Sequence, residues 1–198
     1  MLNNCSSVAV FCGSSDGKDA KYVALAADFG AKCAKYQLDI YYGGAKLGLM
    51  NAVAEAAIQN GGKVIGVMPK FFINDVVAAS YLTELISVES MSERKQMMEK
   101  KSDAFVILPG SFGTMDEFFE VVTDAQLGLH QKPIVILNAF GYYDALLLQI
   151  ERFEKEGFLR PFHRGLITVA ESVEDVFVKI GEFRCTNDQA WLDKHCRG

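Results

Sequence analysis

The residues of this chain best suited to chemistry are Arg94, Glu117 and the glycine-rich stretch that precedes the glutamate, Leu108-Pro109-Gly110-Ser111-Phe112-Gly113-Thr114. The N–H groups of such a loop, with the positive end of the helix that follows, can hold a phosphate. Carboxylates repel one, yet Asp116, Glu117 and Glu120 stand in the first turns of the helical pattern. If the helix runs from Thr114 to about Leu127, Glu117, Glu120 and Asp124 share a face at spacings of three and four. Acidic residues near a helix N-terminus are favourable by about 0.3–1 kcal/mol each, and a polar face is ordinarily solvated. That accounts for Glu120 and Asp124. Glu117 lies one turn beyond the specialised loop, and a carboxylate beside a phosphate makes sense when it addresses the group attached to that phosphate, such as a ribose. A second cluster, MSERKQMMEKK over 91–101, places Arg94 and Lys95 near the start of a short helix with Ser92 as its N-cap. It reads as a solvated face paired with Glu93 and Glu99, or as a donor to the Glu117 site, with Arg94 offering a fork of donors to phosphate or sugar oxygens.

The elements that position these residues follow from the pattern of apolar runs. VAVFC (8–12), LDIYY (38–42), KVIGVM (63–68), ELISV (84–88), AFVIL (104–108), PIVILN (133–138) and LITVA (166–170) are short, rich in β-branched and aromatic residues, and lack strict alternation. Strands buried on both faces read this way. Helical patterns lie between them, roughly 18–35, 48–59 (closed by Asn60-Gly61-Gly62) and 173–183. Strand then helix, repeated, predicts a Rossmann-like, doubly wound parallel β-sheet with helices on both faces. A single domain over 1–183 and a C-terminal tail over 184–198 are expected. Ligands of such sheets bind outside the carboxyl ends of the strands. Gly13-Ser14-Ser15, Gly43-Gly44 and the 110–113 turn all fall there, which points to a phosphate or nucleotide site, although sterics alone also favour glycine at such junctions. Neither GxGxxG nor GxxxxGK[ST] is present, which disfavours bound NAD and P-loop triphosphate chemistry.

Composition narrows the classes further. The chain has 198 residues, half of them hydrophobic, and a net charge of −5 without a long basic cluster. It is large enough for a sizeable core and is not expected to bind nucleic acid. Its five cysteines are scattered and form no CxxC pair, so reduced, cytoplasmic thiols are expected rather than a disulfide framework. His195-Cys196 is too little for a metal site, and a solvated tail, with Trp191 packing back on the body, is the simpler reading. No signal peptide or membrane span is expected.

PGSFGTMDE resembles the P-G-G-x-G-T-x-x-E motif of the LOG (Lonely Guy) family, often labelled lysine decarboxylase-like. The likeness extends through VAVFCGSS, YYGGAKLGLMNAVAEAA, MSERKQMM, VVTDAQLGLHQKPIVILN and GYYDALL, and leaves out the tail from about Arg184. The resemblance implies a phosphoribohydrolase that cleaves the N-glycosidic bond of a nucleoside 5′-monophosphate, a cytokinin riboside monophosphate or AMP, to free base and ribose 5-phosphate. It implies catalytic roles for Arg94 and Glu117. It further implies substrate or phosphate binding by Lys95, by Gly110, Ser111, Phe112, Gly113, Thr114, Met115 and Asp116, and by Thr123, beside the glycine turns at Gly13, Ser14, Gly43 and Gly44. A homodimer with no cofactor and no metal belongs to the same expectation. In that chemistry positive charge builds on the ribose; Glu117 would stabilise it and orient or deprotonate the attacking water, and Arg94 would position both. Two departures stand out: Ser111 replaces the second motif glycine, and Ala45 and Asn51 replace glycines of a YGGGxxGLMG pattern. A positive φ at Ser111 would cost on the order of 1–2 kcal/mol. Residues 71–80 are expected to shape the base pocket. The alternative function is a non-catalytic nucleotide or cofactor carrier of the same fold, which would need no carboxylate beside the phosphate. Decarboxylation would require a lysine that binds pyridoxal phosphate, and no lysine here is set apart for it.

Overall fold

The structure, a computed structural model, describes residues 5–73 and 78–185. Among them seven strands form one parallel sheet in the order β4-β3-β2-β1-β5-β6-β7, with β1 at Ser7–Phe11, β2 at Asp39–Tyr42, β3 at Val64–Pro69, β4 at Glu84–Val88, β5 at Ala104–Ile107, β6 at Ile134–Leu137 and β7 at Ile167–Ala170. The helices are α1 at Lys21–Lys35, α2 at Gly48–Gln59, α3 at Met91–Lys101, α4 at Phe112–Gln126, α5 at Asp144–Lys155, a single turn α6 at Pro161–Arg164, and α7 at Val173–Glu182. The chain builds outward from β1 to β4, then crosses back to lay β5 on the other side of β1. The expected doubly wound, single-domain α/β architecture is therefore present.

The continuous apolar runs are explained by burial on both faces. Every residue of β1, β3, β5 and β6 is buried, whereas β4 and β7, the two edges, are partly open. Alternate residues of β1 serve opposite cores. Val8 and Val10 pack with α1, α2 and α7 through Phe29, Val53 and Phe177, and Ala9 and Phe11 pack with α3, α4 and α5 through Met98, Phe118 and Ile150. The register pairs Phe11 with Ile107, so Cys12 and Leu108 leave the sheet side by side, and Gly13 N–H donates to Pro109 O at 2.9 Å.

Three boundaries differ from the sequence reading. The first helix begins at Lys21 rather than near residue 18, because Gly17 turns at φ +77° and the Asp19 carboxylate accepts from Lys21 N–H. Ser90, not Ser92, caps α3: Ser90 has the extended backbone a cap requires and its hydroxyl accepts from Glu93 N–H at 3.1 Å, while Ser92 already lies inside the first turn. Helix α4 starts at Phe112, two residues before the expected Thr114, so Phe112 and Gly113 form its first turn and the glycine-rich loop is correspondingly shorter.

Candidate active site

The carboxyl ends of β1, β2, β3 and β5 surround a cavity of about 430 Å³. It lies at the point where the strand order reverses, between β1 and β5. Part of its lining is polar: Gly13 and Ser14 after β1, Gly43 after β2, Arg94 from α3, and Ser111, Gly113, Thr114 and Glu117 from the loop and first turns of α4. The rest is largely apolar, with Ala45, Leu47, Met50, Met68, Phe72 and Met91 on the wall.

The polar part of the lining is shaped by close contacts around its glycines. Gly110 packs so tightly that a Cβ there would lie 2.0 Å from Thr114 Oγ1 and 2.9 Å from Gly13 N. Gly48, at φ +56°, opens α2 directly against the 13–15 turn, and a Cβ would meet Ser14 C and Ser15 N at 2.3 Å. Both positions require glycine for sterics, and Gly48 for its conformation as well. Ser111 does not: it sits at φ −122°, ψ −140°, in a region open to any L-residue by its φ, so the strain that a serine would meet at positive φ does not arise.

Arg94 and Glu117 meet at the cavity floor. Arg94 Nη2 donates to Glu117 Oε1, and the two side chains are only 13% and 9% exposed. Burial pushes the Glu117 carboxyl up from its ordinary 4.5 to about 7. Arg94 and Lys95 pull it down, and the charges of Asp116 and Glu120 push it up. The carboxyl is thus poised near neutrality, the range in which a group serves as base or charge stabiliser. Arg94 Nε is buried and has no hydrogen-bond partner among the described residues, which leaves a donor for an incoming oxygen. Cys12 borders the same floor. Burial first, and the Glu117 charge second, raise its thiol, so it is a neutral wall rather than a nucleophile.

The anticipated residues separate into two groups. Gly13, Ser14, Gly43, Arg94, Ser111, Gly113, Thr114 and Glu117 line the cavity, while Gly44 and Gly110 support its rim from behind. Phe112, Met115, Asp116, Phe119, Glu120, Thr123 and Asp124 line a second groove on the outer face of α4. Lys95 turns to that outer side, donating to Asp116 Oδ2 at 3.0 Å and pairing with Glu120. Thr123 Oγ1 donates to Phe119 O at 2.7 Å, back along its own helix. Glu120 is therefore ion-paired, not merely solvated as its position on a polar face suggests. The apolar wall is what sequence reasoning missed. Cys12, Met68 and Pro69 end strands or follow them, and the rule that ligands bind at strand carboxyl ends could have nominated them. Leu47, Met50 and Met91 carried no signal beyond an ordinary helix start. Of the 71–80 stretch, Phe72 reaches the cavity and residues 74–77 lie outside the described residues, as do Trp191, His195 and Cys196. Among the described residues no cluster of three potential metal ligands occurs, and no helix is long and apolar enough to cross a membrane.

Residues 50–180 match the family profile described as possible lysine decarboxylase. A probable cytokinin riboside 5′-monophosphate phosphoribohydrolase, LOG6 of Arabidopsis thaliana, is 43% identical over 177 residues, covering 89% of this chain and 88% of its own. The cytokinin riboside 5′-monophosphate phosphoribohydrolase of Rhodococcoides fascians is 45% identical over 175 residues, covering 88% of each chain. Among solved structures, the molybdenum cofactor carrier protein of Chlamydomonas reinhardtii superposes with a TM-score of 0.67 at 19% identity, covering 89% of this chain and 96% of that one. The molybdenum cofactor binding protein of Rippkaea orientalis gives 0.68 at 19% over the same shares. At that identity these two likenesses establish the fold alone.

Proposed function

The chain belongs to the family described as possible lysine decarboxylase, whose matched relatives are named phosphoribohydrolases, and we propose that it is itself a nucleoside 5′-monophosphate phosphoribohydrolase. It hydrolyses the N-glycosidic bond to release a free base and ribose 5-phosphate. The observation that carries this reading is the buried Glu117, paired with Arg94 and set one turn beyond the glycine loop in a cavity lined by both polar and apolar residues.

The steps follow from the geometry. The phosphate lies against the N–H groups of the 110–114 turn and the start of α4, and its binding holds the ribose over Glu117. As the bond to the base lengthens, positive charge develops on the sugar; the ionised carboxylate stabilises it and takes a proton from the attacking water. Arg94 holds the carboxylate in place and offers its remaining donors to sugar or phosphate oxygens. The base rests among Met50, Met68, Met91, Leu47 and Phe72. Flexible thioethers conform to adenine and to an adenine with an apolar N6 substituent alike, so AMP and cytokinin riboside monophosphates are both substrates in this proposal. No cofactor and no metal takes part.

Incubating the protein with AMP and, separately, with isopentenyladenosine monophosphate, and separating the products by chromatography, tests this directly. Base release by the wild type and not by Glu117→Gln supports it; nucleotide bound tightly without base release favours a carrier. The decarboxylase description asks for a lysine in the site, and the described cavity lining holds none. A protein absorbing beyond about 400 nm, as a pyridoxal Schiff base does, would reinstate that chemistry.

A homodimer and a cytoplasmic setting complete the proposal. The outer face of α4 exposes 93% of Phe112 and 40% of Phe119, an apolar surface suited to a second copy. Cys5, Cys12, Cys33 and Cys185 are free thiols, in keeping with a reducing compartment. Gel filtration giving a clean monomer would remove the dimer from the proposal.

A further inference from the structure

The turn that carries the phosphate in the proposed function is held from behind by three donors, one for each successive carbonyl. Leu108 O accepts from the Tyr143 hydroxyl at 2.7 Å, Pro109 O accepts from Gly13 N–H at 2.9 Å, and Gly110 O accepts from the Tyr142 hydroxyl at 2.7 Å. In a trans peptide the N–H of one residue points opposite to the C=O of the residue before it. Fixing Pro109 O and Gly110 O therefore fixes the directions of the Gly110 and Ser111 N–H groups, each away from its carbonyl's donor. Ser111 is the residue of this pair that lines the cavity.

The two tyrosines are themselves set rigidly. Asn138 Oδ1 accepts from Tyr143 N–H at 2.7 Å while its Nδ2 donates to Asp144 Oδ1 at 2.8 Å, which locks the connection between β6 and α5. Phe140 and Gly141 in that connection take φ of +61° and +68°. A non-glycine residue held there is unusual and indicates that the surroundings over-determine the turn. The Tyr142 ring then meets Tyr22 edge-on at 5.5 Å and Tyr143 at 4.8 Å, and Tyr143 is buried. Nothing in this arrangement touches the cavity.

We propose that Tyr142 is a positioning residue that aims the Ser111 N–H at the phosphate of the substrate; Tyr143 braces its ring and anchors Leu108 O, the carbonyl before Pro109, which has no N–H to aim. The inference rests on the phosphoribohydrolase reading for the identity of the substrate, but what it predicts first is anion affinity. Tyr142→Phe is the informative variant, because it keeps the ring between Tyr22 and Tyr143 and removes only the hydroxyl. Ribose 5-phosphate binding by calorimetry, the KM and kcat for AMP, and the melting temperature are to be measured for the wild type, Tyr142→Phe and Tyr143→Phe. The loss of one aimed donor weakens ribose 5-phosphate binding and raises KM by about five- to tenfold, with kcat changed less. A purely structural role lowers the melting temperature and leaves Kd and KM where they were, and that result for Tyr142→Phe overturns the inference even if Tyr143→Phe fails to fold. A wild type that binds ribose 5-phosphate more tightly than Tyr142→Phe does, yet releases base from no nucleotide, sinks the phosphoribohydrolase reading and leaves the positioning role standing. A wild type that does not bind ribose 5-phosphate at all removes the phosphate site and this inference with it.

Discussion

Arg94 and Lys95 are neighbours on α3, and Asp116 and Glu117 are neighbours on α4, yet the two cross-helix pairs they form face opposite ways. Arg94–Glu117 closes the floor of the cavity, both side chains nearly dry. Lys95 bridges to Asp116 and Glu120 on the outer face, where Asp116 is 61% exposed. The charges and the helices are the same, and only the solvent differs. On the outside Lys95 and Glu120 are partly covered, at 19% and 29% exposed, but they stay in reach of water, and such pairs are worth on the order of 1 kcal/mol. Inside, desolvation raises the carboxyl to about 7, against the pull of the adjacent guanidinium. The raised carboxyl is thus made by where the helix turns it, and one residue of rotation separates a candidate catalyst from a surface charge.

The strongest way to break this comparison is to neutralise one carboxylate on each face. Glu117→Gln is expected to lower turnover of AMP by about 10²–10⁴-fold with the circular dichroism spectrum unchanged, whereas Glu120→Gln is expected to stay within about threefold of wild type. Comparable losses from the two would show that burial is not what distinguishes them. Arg94→Gln comes next, with a loss of about 10²-fold, in the range seen when one electrostatic contact to a developing charge is removed.

A pH profile sharpens the same contrast. Glu117 must be ionised to stabilise positive charge, so kcat/KM for the wild type should fall tenfold per pH unit below about 7. Arg94 lowers this carboxyl, so in Arg94→Gln the residual activity should show its acidic limb at higher pH. A limb that stays in place in the variant would mean that another group is being titrated. Stability follows with the opposite preference. The folded-state carboxyl lies above its ordinary 4.5, so the folded protein holds the proton more firmly, and the contribution of this group to stability is greatest below about 4.5 and declines as pH rises to about 7. The difference in melting temperature between wild type and Glu117→Gln should therefore change across that window.

The smallest effects belong to the outer pair and to the motif serine. Lys95→Met should cost no more than about 1 kcal/mol in denaturant unfolding. Ser111→Gly restores the family motif but relieves no positive φ, so it should destabilise by about 0.5–1 kcal/mol through the flexibility of glycine rather than stabilise.

The sheet was legible because buried parallel strands announce themselves as short apolar runs, and 84–88 and 48–59 fall where the sequence puts them. Glu117 was legible because a carboxylate after a glycine turn is chemically odd, whereas Arg94 stood open between a solvated face and the site until the family resemblance singled it out. The two faces of α4 were not. Phe112 to Asp116 and Thr123 read as one binding set, yet the side chains of a helix diverge by about 100° per residue, and only packing against β1 and β5 decides which of them look into the cavity. The apolar wall was hidden for a related reason. Methionines from three separate segments are brought together by the sheet order alone, and nothing in Met50, Met68 or Met91 taken singly sets it apart from a core residue.

The place of β1 has a consequence for the nascent chain. Among the described residues the first strand of the sheet to be synthesised is its middle one, and its second neighbour, β5, begins only at Ala104. At about 5–20 residues per second, a ribosome needs on the order of 5–20 s to make the intervening chain. Throughout that interval β1 offers an open apolar edge on the side where β5 will dock, and the clasp from Gly13 to Pro109 cannot close. Assembly of the cavity is thus tied to a late step of synthesis, and an elongation pause before β5 prolongs the period in which the growing polypeptide is most exposed to aggregation and most in need of a chaperone.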